Sequence, residues 1–231
     1  MSIEIHRGEV LGLVGESGSG KSTLGRSILR LVPITDGKIT FEGTELSALE
    51  GRTLKQFRHR MQMIFQDPYA SLNPRMTVYD TLAEPLLLHG LVNKAGLDQA
   101  IRELMDNVGL ARAFVRKYPH EFSGGQRQRI AIGRALATRP EFIVADEPVS
   151  ALDVTIQAQI LDLLADLTKE YGLTMLFISH DLAVIRQIAD RIAVMYRGKL
   201  VEEGSTARVF DSPQQDYTRS LLAAIPGANA A

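Results

Sequence analysis

The stretch Val10-Leu-Gly-Leu-Val-Gly-Glu-Ser-Gly-Ser-Gly-Lys-Ser-Thr23 determines the fold class of this 231-residue chain. It opens with an apolar run at 10–14, continues through a glycine-rich segment at 15–23, and leads into apolar residues at helical spacing. This succession predicts a buried strand, then a loop, then a helix. A strand that leads through glycines into a helix is typical of α/β proteins that bind phosphate groups.

The glycine-rich segment matches the phosphate-loop pattern G-x-x-x-x-G-K-[ST] at every position. Glycines allow the backbone N–H groups to turn toward a phosphate, and the start of the following helix adds a partial positive charge. Lys21 is expected to reach the β- and γ-phosphates of ATP, and the Ser22 hydroxyl to bind Mg²⁺. The predicted nucleotide-binding residues of the loop are Gly15, Glu16, Ser17, Gly18, Ser19, Gly20, Lys21, Ser22 and Thr23.

Strand-like and helix-like patterns alternate after residue 121. Continuous apolar runs at 142–145 and 174–178 predict buried parallel strands. The apolar residues between them recur at helical spacing, so the chain is predicted to be α/β with right-handed crossovers. Two further segments predict antiparallel pairing: 37–43, which alternates apolar and polar residues, and a hairpin formed by 192–196 and 199–203.

Residues 67–121 have a different character, because their apolar pattern is helical and is interrupted by prolines. One predicted helix face there consists of Leu97, Ile101, Leu104, Met105 and Val108. We therefore predict a helical unit at 67–121 inserted into a core formed by 1–66 and 122–231. The small residues at 227–231 predict a weakly structured end.

Composition excludes several classes of function. The 26 Lys and Arg residues balance 27 Asp and Glu residues, so the formal net charge is −1, which argues against binding nucleic acid by counterion release. The absence of cysteine excludes disulfides, thiolate nucleophiles and cysteine-ligated metals. No apolar run approaches the roughly 18 residues of a membrane-spanning helix, and the N-terminus does not resemble a secretory signal, so a cytoplasmic location is expected.

A second acidic motif follows the apolar run at 142–145. Asp146 and Glu147 come directly after it and are followed by Pro148. Ligands of parallel sheets bind at the carboxyl ends of the strands, so Asp146 is placed to complete a Mg²⁺ site with Ser22. Glu147 points in another direction and is the candidate to orient or deprotonate an attacking water.

These motifs, together with four others, resemble those of the ATP-binding-cassette (ABC) family. The family signature is resembled by Ser123, Gly124, Gly125 and Gln126, and its D-loop by residues 150–153, which end in Asp153. Gln66 resembles the Q-loop glutamine, and His180 resembles the switch histidine. They occur in the family's order and cover residues 8–226. The resemblance implies a P-loop NTPase (RecA-like) core with a mostly parallel sheet, a small antiparallel β subdomain and a helical insert.

The resemblance also implies roles and partners. Two cassettes would pack head to tail as a homo- or heterodimer, with each ATP lying between the loop of one chain and the signature of the other. Ser22, Gln66 and Asp146 would bind Mg²⁺, Glu147 would act as the base, and His180 would contact the γ-phosphate. An anion site at the N-terminus of the helix after Ser123 is physically reasonable in its own right, because a Ser N-cap and two glycines precede that helix.

Segments 66–76 and 212–222 resemble the dipeptide, oligopeptide and nickel importers of bacteria. This implies a peripheral subunit on the cytoplasmic face of the inner membrane, bound to permease subunits and served indirectly by a substrate-binding protein. The stretch after Gln66 would form the groove for a short permease helix. The alternative function is a soluble cassette ATPase that acts on nucleic acid or ribosomes; a small-molecule kinase would have no use for residues 123–126.

One expected feature of the family is missing from the start of the chain. Members carry an aromatic residue upstream of the phosphate loop that stacks on adenine, whereas residues 1–14 contain no Phe, Tyr or Trp. We therefore expect a shortened N-terminus, a misplaced start or half of a longer protein. Because base stacking contributes about 1–3 kcal/mol, ATP affinity is expected to be roughly ten- to hundredfold weaker.

Overall fold

The structure, a computed structural model, describes residues 1–225. The predicted weakly structured end at 227–231 lies outside the described residues. Within residues 1–225, eight strands form two sheets, in agreement with the predicted α/β class. The strands are β1 (Val10–Val14), β2 (Thr40–Phe41), β3 (Thr44–Glu45), β4 (Met61–Ile64), β5 (Phe142–Asp146), β6 (Thr174–Ile178), β7 (Arg191–Tyr196) and β8 (Lys199–Ser205).

The main sheet has the strand order β4-β5-β6-β1-β7-β8. The first five strands of this order are parallel, and β8 pairs antiparallel with β7, as the predicted hairpin requires. The second sheet holds only β2 and β3, so the antiparallel strand predicted at 37–43 is reduced to two residues before a turn. Glu42 and Gly43 occupy that turn with positive φ, which ends the strand early.

Helices connect and cover the strands. They are α1 (Lys21–Ile28), α2 (Gly51–Arg58), α3 (Pro68–Ser71), α4 (Val78–Leu88), α5 (Leu97–Asn107), α6 (Gly124–Leu136), α7 (Val154–Tyr171), α8 (Leu182–Ile188), α9 (Thr206–Asp211) and α10 (Asp216–Ala223), with short 3-10 turns at Leu46–Ala48, Arg112–Arg116 and Pro119–Glu121. Within 67–121, all of which is described, the regular elements are helical. In the described part of the chain no helix is long and apolar enough to cross a membrane.

Apolar side chains pack on both faces of the main sheet. One cluster joins β1, β5 and β6 to helices of the 67–121 segment, with Leu82, Ile101 and Met105 among its most deeply buried members. The other cluster lies on the opposite face and includes Leu11, Leu13 and Leu46. Since the helical segment shares a core with the sheet, its position is coupled to the strands that carry the candidate site.

The parallel register places the candidate residues together. Leu13 pairs with Ile178, Asp146 pairs with Ile178 from the other side, and Ile64 pairs with Ala145. The strands therefore end nearly level, and the loops that follow β1, β4, β5 and β6 emerge at one edge of the sheet. This is the edge where ligands of open α/β sheets bind.

Candidate active site

The phosphate loop connects β1 to α1. Gly15 has a φ of 153°, and a Cβ atom built on it would lie 2.1 Å from the carbonyl oxygen of Met195, so a side chain at this position would collide with β7. Gly20 has a φ of 101° and precedes the first residue of α1. These two glycines let the loop curl closely over the end of the sheet while the N-terminus of α1 faces its interior.

Lys21 is buried, with 4% of its surface exposed, and lies across the loop. Its Nζ donates hydrogen bonds to the carbonyl oxygens of Gly15 at 2.7 Å and Glu16 at 2.9 Å. Burial lowers the pKa of Lys21, although the nearby carboxylates of Glu147 and Asp146 act in the opposite direction. The ammonium group therefore already lies within the cradle, bound to carbonyls that an incoming phosphate would replace.

Asp146 ends β5 and is fully buried. The Ser22 hydroxyl donates to Asp146 Oδ1 at 2.7 Å, and Arg26 Nη2 lies 3.7 Å from Oδ2. Burial raises the pKa of Asp146, while the Ser22 hydrogen bond and Arg26 act to lower it. Within residues 1–225, Asp146 Oδ2 and the buried Ser19 hydroxyl have no hydrogen-bond partner.

Two oxygens test whether a nucleotide and a metal ion fit this site: Asp146 Oδ2, which has Arg26 nearby but accepts no hydrogen bond within residues 1–225, and the Ser19 hydroxyl. A buried carboxylate oxygen without a hydrogen bond is costly unless a cation or a water satisfies it. The donor set of carboxylate and hydroxyl oxygens is the kind that Mg²⁺ prefers, and the Ser19 hydroxyl is free to donate to a phosphate oxygen. The residues therefore fit Mg²⁺ and phosphate groups.

Glu147 lies at the centre of a second group of side chains. Its backbone has a φ of 46°, a left-handed conformation that is uncommon for a residue with a side chain, and its N–H donates to the Ile178 carbonyl. Its Oε2 accepts a hydrogen bond from Gln66 Nε2 at 3.2 Å and lies 3.1 Å from His180 Nδ1. The three residues follow β4, β5 and β6, so the structure brings together the predicted catalytic group.

The signature segment begins α6. The Ser123 hydroxyl accepts from the Gln126 N–H at 3.4 Å, and Gln126 Oε1 accepts from the Ser123 N–H at 3.1 Å, which is a reciprocal capping box. Gly125 is buried, and a Cβ atom on it would lie 2.4 Å from Ile156 Cγ2 on α7. Among the hydrogen bonds of residues 1–225, none joins 123–126 to the phosphate loop.

Asp153 and Gly124 lie at the N-termini of two neighbouring helices, α7 and α6. The Asp153 carboxylate accepts from the Ile156 N–H at 3.0 Å and caps α7. Gly124 lies against Leu152, which belongs to the D-loop segment. The structure thus places the D-loop beside the signature helix of the same chain. The residues described above beside the phosphate loop, such as Asp146 and Glu147, belong to neither of these two segments.

Some residues next to the site were not predicted from the sequence. Arg26 pairs with Asp146, and the sequence offered a signal for it, because Arg26 lies four residues after Ser22 on the same helix face. Tyr217 accepts a hydrogen bond from the Glu16 N–H at 3.0 Å, and Gly198 N–H donates to the Ser19 carbonyl at 3.0 Å. Neither of the last two contacts has a local sequence signal.

Comparison with known proteins identifies a family and relatives to which this sequence is similar. The family model described as ABC transporter matches residues 1–150. The oligopeptide transport ATP-binding protein OppF of Bacillus subtilis (strain 168) is 57% identical over 228 residues, covering 98% of this chain and 75% of that protein. A putative peptide import ATP-binding protein of Brucella ovis is 55% identical over 226 residues, covering 98% of this chain and 71% of that protein.

Solved structures give the same result for the fold. A dimeric post-hydrolysis state of the ATP-binding cassette MJ0796 bound to ADP and Pi superposes with a TM-score of 0.79 at 31% identity, covering 88% of each chain. The cbiO1 protein of Clostridium perfringens, part of the ABC transporter complex cbiONQ, has a TM-score of 0.82 at 26% identity and covers 98% of this chain and 88% of that one.

Proposed function

The chain belongs to the ABC transporter family, and on that premise we propose that it is the ATP-binding and ATP-hydrolysing subunit of a bacterial peptide importer. The observation that carries the hydrolytic role is the meeting of Gln66, Glu147 and His180 beside the phosphate loop. The peptide class of cargo rests on the relatives, whose names describe oligopeptide transport and peptide import.

Nucleotide binding uses the phosphate loop. Lys21 leaves the carbonyls of Gly15 and Glu16 and pairs with the β- and γ-phosphates, while the loop N–H groups and the Ser19 hydroxyl donate to phosphate oxygens. Ser22, Asp146 and Gln66 would hold Mg²⁺, which would neutralise charge on the phosphates when bound. The two phosphate-binding parts of the chain, 15–23 and 123–126, act on different nucleotides.

Hydrolysis depends on Glu147. Its carboxylate accepts a proton from the attacking water, and Gln66 and His180 hold the oxygen that does so. His180 is exposed enough to leave this contact and donate to the γ-phosphate once a nucleotide is present. The left-handed backbone at Glu147 accompanies the placement of its carboxylate between Gln66 and His180.

A second cassette completes the site. The capped N-terminus of α6 begins at the exposed Ser123, and Ser123, Gly124, Gly125 and Gln126 would contact the nucleotide of a partner chain together with Asp153. The exposed position of Ser123 and the lack of hydrogen bonds between this segment and the phosphate loop within residues 1–225 support contact in trans. ATP binding would then draw two chains together.

Permease subunits would dock beside Gln66. A cleft of about 700 Å³ lies next to this residue and is lined by Leu31, Phe65 and Arg134, among others. The proposed occupant is a short coupling helix of a permease on the cytoplasmic face of the inner membrane, with a substrate-binding protein acting from the other side. The core of 1–66 and 122–231 would bind ATP, and the docking cleft would lie where this core meets the start of the helical unit 67–121, at Asp67, Ala70 and Ser71.

The test is reconstitution. The chain is purified with the permease and binding-protein subunits encoded by neighbouring genes, and phosphate release and peptide uptake are measured in liposomes. The proposal predicts ATP hydrolysis without any acceptor molecule and peptide uptake that depends on ATP. Copurification with RNA or ribosomes instead of permease subunits would support the soluble ATPase, and phosphate transfer to a small molecule would support a kinase.

A further inference from the structure

The peptide unit between Gly15 and Glu16 is held from both sides. Its carbonyl, that of Gly15, accepts from Lys21 Nζ at 2.7 Å, and its N–H, that of Glu16, donates to the Tyr217 hydroxyl at 3.0 Å. The carbonyl and N–H of a trans peptide point in opposite directions within one plane. Tyr217 therefore restrains the orientation of the carbonyl to which Lys21 is bound, although the two residues lie on opposite sides of the peptide.

Tyr217 is itself held in place by the fold. Its ring lies 4.3 Å from the ring of Tyr196, measured between centroids, and Tyr196 ends the strand next to β1. The following residue, Thr218, is fully buried. The hydroxyl is thus presented to the loop by a helix whose ring contact with Tyr196 and buried Thr218 hold it against a core strand.

A buried carboxylate anchors the start of this segment. Glu202 on β8 is 6% exposed and accepts hydrogen bonds from the N–H groups of Gln214 at 2.8 Å and Gln215 at 3.0 Å. These two residues lie immediately before α10. Strand β8, helix α10 and the phosphate loop are therefore joined by a continuous set of contacts, from Glu202 through Tyr217 to Glu16.

We propose that Tyr217 is a positioning residue that sets the orientation of the phosphate loop and thereby its affinity for nucleotide. The inference rests on the proposed function of the loop in ATP binding, but it concerns a residue near the other end of the chain that makes no contact with the proposed catalytic group within residues 1–225. Tyr217 holds the Gly15–Glu16 peptide so that Lys21 stays within the cradle, ready to transfer to a phosphate. Without the hydroxyl, this peptide is held only through the Gly15 carbonyl, and more of the ordering of the loop must come from the nucleotide itself.

The direct test is Tyr217→Phe, which removes the hydroxyl and keeps the ring. The dissociation constant for ADP is expected to rise about two- to tenfold, the range that one neutral hydrogen bond contributes. The KM for ATP should rise by a similar factor while kcat stays within about twofold, because the catalytic group around Glu147 is unchanged. Tyr196→Phe is the matched control, since within residues 1–225 its hydroxyl makes no hydrogen bond.

A second variant approaches the same bond from the loop. Glu16→Pro removes the donor N–H, and the double variant with Tyr217→Phe should bind ADP no more weakly than Glu16→Pro alone, because the bond is lost only once. An ADP affinity of Tyr217→Phe equal to that of the wild type and of Tyr196→Phe would overturn the proposal, as would additive losses in the double variant. If Tyr217→Phe does not fold, wild-type affinity in Glu16→Pro would overturn it instead. Failure of the wild type to bind ADP at all would contradict the proposed function.

Discussion

Oε2 of Glu147 lies 3.1 Å from Nδ1 of His180, although the two residues are 33 positions apart and follow different strands. The contact exists because β5 and β6 are parallel neighbours whose carboxyl ends are level. The same oxygen also accepts a hydrogen bond from Gln66, which follows β4 on the other side of β5. One carboxylate oxygen thus joins three loops of the sheet.

Replacing this carboxylate by an amide should stop hydrolysis and leave nucleotide binding intact. Glu147→Gln removes the proton acceptor, and loss of a general base lowers a rate by about 10² to 10⁴-fold. The measurement is phosphate release at saturating ATP, with ADP affinity measured separately. Glu170→Gln, an exposed change of the same type on α7, should keep the wild-type rate. Retained hydrolysis in Glu147→Gln would remove Glu147 from its assigned role.

Gln66 is expected to link hydrolysis to transport. Its side chain contacts Glu147, and the residue also lines the cleft proposed for the permease, so Gln66→Ala disconnects the two. We expect peptide uptake per ATP hydrolysed to fall several-fold in reconstituted liposomes. Gln62→Ala is a suitable control, because Gln62 also borders the cleft but donates only to a backbone carbonyl on α2. An unchanged ratio of uptake to hydrolysis in Gln66→Ala would contradict the link.

Val154 is expected to lie in the interface between two cassettes. It is the first residue of α7 and directly follows Asp153 of the D-loop. As much as 81% of its surface is exposed, although its side chain is apolar. Val154→Glu should weaken the ATP-dependent dimer about tenfold or more, because a carboxylate would have to be buried. Size-exclusion chromatography with ATP measures the fraction of dimer, in a Glu147→Gln background so that the nucleotide is not hydrolysed. Leu88→Glu, a similar change at a site 60% exposed on α4, should dimerise normally.

Glu202 should make the stability of the chain depend on acid pH. Burial acts to raise the pKa of Glu202, but the amide hydrogen bonds of Gln214 and Gln215, together with the Thr218 side chain and the charge of Arg208, outweigh it and hold the pKa below its ordinary value of 4.5. A carboxylate with a lowered folded-state pKa stabilises the fold above its unfolded pKa, and this contribution is lost as the pH falls through the folded value.

The variant Glu202→Gln should therefore unfold at lower urea concentration than the wild type at pH 7, and the difference should shrink below pH 4.5, where the wild type also becomes protonated. Urea unfolding at a series of pH values measures both effects. Glu170→Gln provides the comparison for an exposed glutamate. A difference between Glu202→Gln and wild type that stays constant across this range would show that the carboxylate charge is not responsible.

Local sequence patterns were sufficient for the elements that carry the site. The apolar run before Gly15 and the helical spacing after Lys21 predicted β1 and α1, and the run ending at Asp146 predicted β5. They were less reliable for the antiparallel segment at 37–43, where only two residues pair. Such a short strand depends on its turn and on packing, which a pattern of alternating residues does not report.

Contacts between residues far apart in the chain could not be predicted from local sequence patterns. Tyr217 and Glu16 are 201 positions apart, and their hydrogen bond depends on how α10 packs against β7. The left-handed backbone at Glu147 is equally absent from the sequence pattern, since glutamate rarely adopts it. The unfavourable conformational energy of this backbone is offset by the surrounding structure, which holds the carboxylate between Gln66 and His180.

The sequence by itself determined the α/β class, the phosphate loop and the chemical identity of the candidate residues, because each of these depends on residue type and spacing within one short segment. The tertiary structure alone decided which of those residues meet. Strand order and level strand ends brought Glu147, Gln66 and His180 together, and the packing of α10 brought Tyr217 to the loop. Spacing along the chain cannot encode these distances, because they arise from burial of apolar faces contributed by segments far apart in the chain.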